Sequence, residues 1–425
     1  MYLRGSKWSM NRKRKPVNWF RIIFLLLLIA AGVYINRVVI PTIPPPFVPT
    51  STATRDPESI VNEADALFNQ GKLLQSIDVY KQAIRAKPDD PNIYVSLARV
   101  QVFAGQYEDA QISAENSLLL NPNNSMAYAV LGWTLDFQGD YMAAEAAIKR
   151  SLELDPNNAM AHAYYAEILA DMYVNGSGGL DTVDRAAEES KVALSLAPDA
   201  LEPRRARGYV LEITQNYEEA IRAYQSALAM NENIPDLHLS LGLNYRALGI
   251  YDKAIEEFTR ANALNPPSFM PDLLISRTYA TVGEYAKAVQ YGEQAVNDQP
   301  VNGSLHGNLG VMYYHNFQWP EAAKELGLAI RGGSAGNNIL VEPLAITNDT
   351  RIAEYYFTYA LVLARTDRCG EALQISQLIM GTIPANELAV FNANEAIRLC
   401  QESLLVTPTI TPTPTGTVET STPNP

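Results

Sequence analysis

Residues 237–266 read LHLSLGLNYRALGIYDKAIEEFTRANALNP. Leu241 and Tyr245 stand at helical spacing before Leu248-Gly249-Ile250-Tyr251, and Ala254, Phe258 and Ala261 follow it, with Pro266 at the close. Apolar residues three and four apart lie on one face of a helix. A glycine after such a run can take the left-handed conformation that ends a helix. The stretch therefore spells helix, tight turn, helix, stop.

The same sentence recurs along the chain. Pro88, Pro122, Pro156, Pro198, Pro266 and Pro300 each close a helical, alanine-rich block, with gaps of 34, 34, 42, 68 and 34 residues. The period is 34, with one eight-residue insertion and one position that lacks its proline. With the closing proline as position 32, position 8 holds Ala64, Ala98, Gly132, Gly242 and Ser276, position 20 holds Ser76, Ala110, Ala144, Ala254 and Ala288, and position 27 holds Ala83, Ser117, Ser151, Ala261 and Ala295. Two helices approach closely only where side chains are short, so these positions mark helix crossings.

The pattern resembles the tetratricopeptide repeat family and recurs in register. Departures are local: His238 replaces the first aromatic, Glu232 and Ser334 stand where proline is expected, and Gly292 replaces a large residue. The resemblance implies an all-α, right-handed α-solenoid of about nine helix-turn-helix repeats, beginning near residues 57, 91, 125, 159, 201, 235, 269, 303 and 353. A solenoid also needs a cap at its open end. The expected organisation is a basic segment 1–18, a transmembrane signal anchor 19–40, a Pro/Thr-rich linker 41–56, repeats one to eight over 57–331, an inserted loop 332–352, repeat nine over 353–386, a capping helix 387–405 and a disordered Thr/Pro-rich tail 406–425.

The anchor is read from charge and hydropathy. Arg4, Lys7, Arg12, Lys13, Arg14, Lys15 and Arg21 precede or border an apolar run from Ile22 to Ile35, and no acid occurs before Asp56. A span from Trp19 to Ile40 is near the ~20 residues that cross a bilayer, with Arg21 and Arg37 able to reach its borders. Positive charge stays inside, which puts the N-terminus in the cytoplasm and the repeats outside it, in a single-pass cell-membrane protein. The alternative is a secretory signal cleaved near Ala30-Ala31-Gly32, leaving a secreted protein. Prolines 41, 44, 45, 46 and 49 then form an extended spacer, and the tail from Thr407 is too polar and repetitive to build a core.

Charge divides sharply. Nine of the 33 basic residues lie in residues 1–55, so the remaining 370 hold 24 basic and 46 acidic residues, a net of −22. Phosphate binding needs clustered positive charge, so nucleic acid is excluded as an expected partner. No His-Glu-x-x-His and no Cys-x-x-Cys occurs. His162, His238 and His306 all occupy position 4 of their units, where packing explains them, and only His315 departs. Asn175-Gly176-Ser177-Gly178-Gly179 follows a helix without a phosphate-loop lysine and reads as an insertion in a turn. The expectation is a non-enzyme with no cofactor and no metal.

Binding remains. In the resembling family, positions 2, 5, 9, 12 and 13 of the first helix line the concave groove. In this chain they include Phe68, Arg99, Phe103, Trp133, Asp136, Phe137, Glu167, Arg205, Tyr209, Arg246, Arg277, Tyr314, His315, Phe357 and Arg365. Aromatics and arginines are enriched at binding hot spots, and Phe103, Trp133 and Phe137 would adjoin along the groove, unless inter-repeat packing buries them. The carboxylate clamp of some members needs Asn at position 9, where this chain has Asp65, Arg99, Trp133, Glu167, Tyr209, Leu243, Arg277, Val311 and Leu361; that activity is disfavoured. Stacking would bring Cys369 and Cys400 together, either as a disulfide or as buried thiols. Sixteen extra residues between units eight and nine would cross the groove, meet a partner, or form a surface excursion. The function implied is a membrane-tethered extracytoplasmic scaffold for a protein or peptide partner; the alternative is a glycan-binding, wall-associated protein.

Overall fold

The computed structural model describes residues 18–39, 55–336 and 339–405; the basic segment before Asn18, most of the linker and the tail from residue 406 lie outside the described residues. The chain divides after Arg55 into two compact units. In the first, helix α1 (Trp19–Tyr34) runs on into a π-helical stretch, Ile35–Val39. Trp19–Val38 is 20 residues long with mean hydropathy 2.0, long and apolar enough to cross a bilayer. Arg21 and Arg37 are its only charged residues.

The second unit is a succession of paired helices. Units one to three are α2 (Pro57–Asn69) with α3 (Leu73–Ala86), α4 (Pro91–Phe103) with α5 (Tyr107–Leu120), and α6 (Ser125–Phe137) with α7 (Tyr141–Leu154). Units four to six are α8 (Ala159–Val174) with α9 (Thr182–Leu196), α10 (Leu201–Ile213) with α11 (Tyr217–Leu228), and α12 (Pro235–Ala247) with α13 (Tyr251–Leu264). Units seven to nine are α14 (Phe269–Thr281) with α15 (Tyr285–Asp298), α16 (Gly303–His315) with α17 (Trp319–Arg331), and α18 (Thr350–Arg365) with α19 (Cys369–Thr382). Helix α20 (Glu387–Leu405) closes the end, burying Ala389, Ala393, Ala396 and Cys400 against α18 and α19.

Each turn inside a unit is built the same way. One residue takes positive φ, and the amide after it reaches five residues back, as Gln106 does to the Gln101 carbonyl at 2.9 Å and Ile250 to Tyr245 at 2.8 Å. This bond satisfies a carbonyl that the helix end would otherwise leave open. Glycine fills the position in six units, including Gly105 and Gly249, but Gln215, Phe317 and Asp367 hold φ of 60°, 61° and 57° in units five, eight and nine.

Small residues mark the crossings, as the spacing predicts. A Cβ at Gly242 would stand 2.5 Å from the Phe258 ring, and one at Gly132 2.7 Å from Ile148. The three position-4 histidines share one geometry. Nδ1 of His162, His238 and His306 lies 2.5, 2.6 and 2.6 Å from a carboxylate oxygen of Glu189, Glu257 and Glu325 on the partner helix. Nε2 lies 3.0, 2.9 and 2.9 Å from the carbonyls of Pro156, Glu232 and Pro300 in the preceding turn. Each imidazole thus ties together the two helices of a unit and the turn before them.

Unit four bends the array. Its first helix is three residues longer than those before it and is packed on α6, α7, α9 and α10, with Tyr164 to Ala170 buried without a break. Units five and six return onto unit one. Glu232, where proline is missing, lies in the turn that docks: Asn231 Nδ2 donates to the Phe68 carbonyl at 3.5 Å and Asn233 Nδ2 to the Asn69 carbonyl at 3.1 Å. Ile60, Phe68 and Leu97 share one apolar cluster with Leu201, Ile234 and Leu237.

The insertion between units eight and nine folds as an antiparallel hairpin, β1 (Gly333–Gly336) with β2 (Ile339–Val341). Val341 is buried, the Leu344 amide donates to the Ala329 carbonyl at 2.8 Å, and the Tyr356 hydroxyl donates to the Leu344 carbonyl at 2.6 Å. The apolar half of the insertion therefore seats unit nine on unit eight, a role distinct from crossing the groove.

Candidate partner-binding surface

The first helices of the units face inward, and their aromatics meet in a row. Phe68 and Phe103 have ring centroids 5.3 Å apart, Phe103 and Trp133 5.2 Å, and Trp133 and Phe137 5.8 Å. Tyr164 stacks on Trp133 at 4.4 Å. Two guanidiniums cover this spine: Arg99 lies 4.8 Å from the Phe68 centroid and Arg205 5.0 Å from that of Trp133, distances at which a cation is attracted to a ring face.

The return of units five and six fills the inner face. Arg99 pairs with Glu202, and Arg205 pairs with Glu167 at 3.3 Å and Asp236 at 3.2 Å. Phe68, Trp133 and Asp136 are 5%, 1% and 4% exposed. The expectation that these three form an open contact surface is corrected: they belong to the interior, because α10 and the turn at Asn231–Asn233 cover them. Phe103 is half-buried. Phe137, 39% exposed, stacks on Tyr107 at 4.8 Å and stands at the rim.

The closure leaves a cavity of about 340 Å³ lined by Asp136, Phe137, Tyr141, Glu167, Asp171, Arg205, Tyr209, Tyr224, Asp236 and Ser240. On the other side of Arg205 lies a second, of about 220 Å³, bordered by Phe103, Tyr107, Trp133 and Phe137. Trp133 Nε1 donates to Glu167 Oε2 at 2.9 Å, and the Tyr209 hydroxyl donates to Asp171. Burial, then the charge of Asp171, pushes the pKa of the Asp136 carboxyl far above the ordinary carboxylate range. Burial likewise pushes Glu167 up to about 7, against the pull of Arg205. Three buried polar atoms of this cluster have no hydrogen-bond partner: Asp136 Oδ1, Glu167 Oε1 and Arg205 Nη1.

In units six to eight Arg246, Arg277, Tyr314 and His315 are half-buried. Arg246 is half-buried and has no acidic partner among the described residues; burial and then the charges of Arg277 and Arg351 push its pKa down. Arg277 Nε donates to Asn308 Oδ1 at 3.1 Å. His315 stacks on Tyr285 at 5.0 Å and meets Tyr314 edge-on at 5.3 Å, and burial lowers its pKa. Phe357 is half-buried beside the core of units eight and nine, and Arg365 is exposed over the Trp319 ring at 5.5 Å. Cys369 and Cys400 are joined by a disulfide with Cα atoms 5.4 Å apart.

Sequence reasoning passed over Glu202, Asp171, Asp236 and Arg351. The first three occupy groove positions 2, 13 and 2 of units four to six, so the register already carried the signal, hidden because acids read as solvated surface. Arg351 follows the insertion and has no register to flag it.

A family model for the TPR repeat matches residues 64–102, and two for the tetratricopeptide repeat match residues 114–146 and residues 205–269 with 273–338. No curated protein matches the chain. Among solved structures, MamA is 26% identical over 40% of this chain and 95% of its own, with a TM-score of 0.32. PilW, a type IV pilus biogenesis factor, is 22% identical over 48% and 90%, with a TM-score of 0.43. A tetratricopeptide repeat protein from Parabacteroides merdae ATCC 43184 is 15% identical over 60% and 98%, with a TM-score of 0.39. On its repeats, its helix pairing and these family matches, the chain belongs to the tetratricopeptide repeat family.

Proposed function

We propose that this chain is a membrane-tethered scaffold that holds a protein partner outside the cytoplasm on the inner face of units six to nine. The observation that carries the reading is Arg246, a half-buried guanidinium without an acidic partner, beside Arg277 and Arg351 in a repeat region that is otherwise strongly acidic. An arginine without an acidic partner gains when a partner chain supplies one and excludes water; Arg351 is already paired with Glu354 at 3.2 Å and Arg277 with Asn308. The apolar span Trp19–Val38 and the basic residues before it support the tether and its orientation, and a disulfide between Cys369 and Cys400 suits an oxidising compartment.

The test is photocrosslinking in intact cells with a photoreactive residue in place of Tyr314, compared with the same residue in place of Lys191 on the second helix of unit four. A discrete adduct is expected from position 314 alone, and lost with Arg246→Glu and Arg277→Glu together. Equal adducts from both positions, or one indifferent to the charge reversal, would remove this face from the proposal. Protease added outside the cell envelope's permeability barrier should digest the repeats; full protection would reverse the orientation.

A further inference from the structure

We infer that the cavity between units three and six is a receptor for a cationic side chain, a lysine or arginine carried by the partner polypeptide. The inference rests on the scaffold reading above and adds a second contact of opposite charge. Its walls carry four acids, Asp136, Glu167, Asp171 and Asp236, against one arginine, Arg205. Ion pairing inside the cluster leaves the account unbalanced: Arg205 meets Glu167 and Asp236, while Asp136 and Asp171 have no cation.

Two further observations point to a ligand. Asp136 and Glu167 are 4% and 2% exposed, yet Asp136 Oδ1 and Glu167 Oε1 have no donor. A buried acceptor without a donor is costly to the fold, so native structures retain such groups where something else supplies the bond. The volume of about 340 Å³ is that of a small-ligand site and admits an extended basic side chain. Its remaining walls are Ser240 and the rings of Phe137, Tyr141, Tyr209 and Tyr224, whose faces attract a cation and pack against its aliphatic stem. An incoming ammonium or guanidinium donates to the carboxyl oxygens of Asp136 and Asp171.

The test uses the full chain in detergent micelles and two peptides, acetyl-Gly-Ala-Gly-Arg-Ala-Gly-Gly-amide and the same peptide with citrulline, which keeps the shape of arginine without its charge. Titration followed by NMR shifts of the protein should give binding at least tenfold tighter for the arginine peptide. Asp171→Asn, which keeps an acceptor for Tyr209, should abolish the preference while leaving the melting transition cooperative. Equal affinity of the two peptides, or no binding of either, overturns the receptor, and that comparison needs no variant. Free arginine amide binding as tightly as the peptide would also overturn it, since the source would then be a small molecule and not a partner chain. Loss of the receptor with the position-314 adduct intact would leave the scaffold reading standing; loss of the adduct with the arginine preference intact would do the reverse.

Discussion

Arg99 of unit two is paired with Glu202 of unit five, 103 residues further along the chain. The bond spans the inside of a turn that the repeat period alone would leave open, and Glu202 is buried. Removing one member of a buried pair leaves the other charge uncompensated.

Arg99→Met should therefore lower stability by about 3 kcal/mol, whereas Arg99→Met with Glu202→Leu should recover most of that loss. Urea denaturation of the three proteins checks it. A single variant as stable as the parent would mean that the closure does not depend on this pair.

The histidine ties give stability a pH dependence. Both ring nitrogens of His162 and of His306 face acceptors, so the imidazole is held with two protons. For His162 the Glu189 bond raises the pKa above the ordinary value; for His306 burial opposes the charge, but the bonds to Glu325 and the Pro300 carbonyl outweigh it. A raised folded-state pKa makes the stabilisation complete below about 6.5 and lost as pH rises through the raised value. Melting temperature should fall across that interval, and less so in His306→Gln. Imidazole resonances that titrate at or below 6.5 would contradict it.

Position 15 of the fifth unit is held by Gln215 at φ 60°, a conformation that suits glycine. Gln215→Gly should stabilise by about 0.5–1 kcal/mol, the relief of left-handed strain exceeding the added freedom of the unfolded chain. Gly242→Ala should do the opposite by about 1–3 kcal/mol, since the methyl would meet the Phe258 ring in a close-packed crossing. Thermal denaturation of both variants reads the two signs.

Cys369 and Cys400 bracket the cap, separated by 31 residues. Closing a loop of that length contributes about 3.7 kcal/mol in the chain-entropy account. Non-reduced digestion should yield the Cys369–Cys400 peptide pair, and dithiothreitol should raise hydrogen exchange in α20 before the rest of the repeats. Free thiols in protein recovered from its native compartment would end the assignment.

Local signals made most of the fold legible. Leu241, Gly242, Tyr245 and Phe258 act within one unit, where contacts are a turn or a helix apart, so spacing alone foretells them. The histidines were assigned to packing by register, yet their glutamate partners were not foreseen. The site was less legible, because position numbers say which way a side chain faces and not what lies opposite. Trp133 and Phe68 occupy groove positions and are nonetheless interior, since the groove holds units five and six.

By itself the sequence determined the unit: its period, its small-residue crossings, its glycine turns and the apolar span before it, all encoded by residues near one another in the chain. Only the tertiary structure decided where the array closes. That choice rests on contacts between residues more than 160 positions apart, where Asn231 and Asn233 reach the end of α2. Contacts over such separations have no local motif, and the closure sets Asp136, Glu167, Asp171, Arg205 and Asp236 around one cavity.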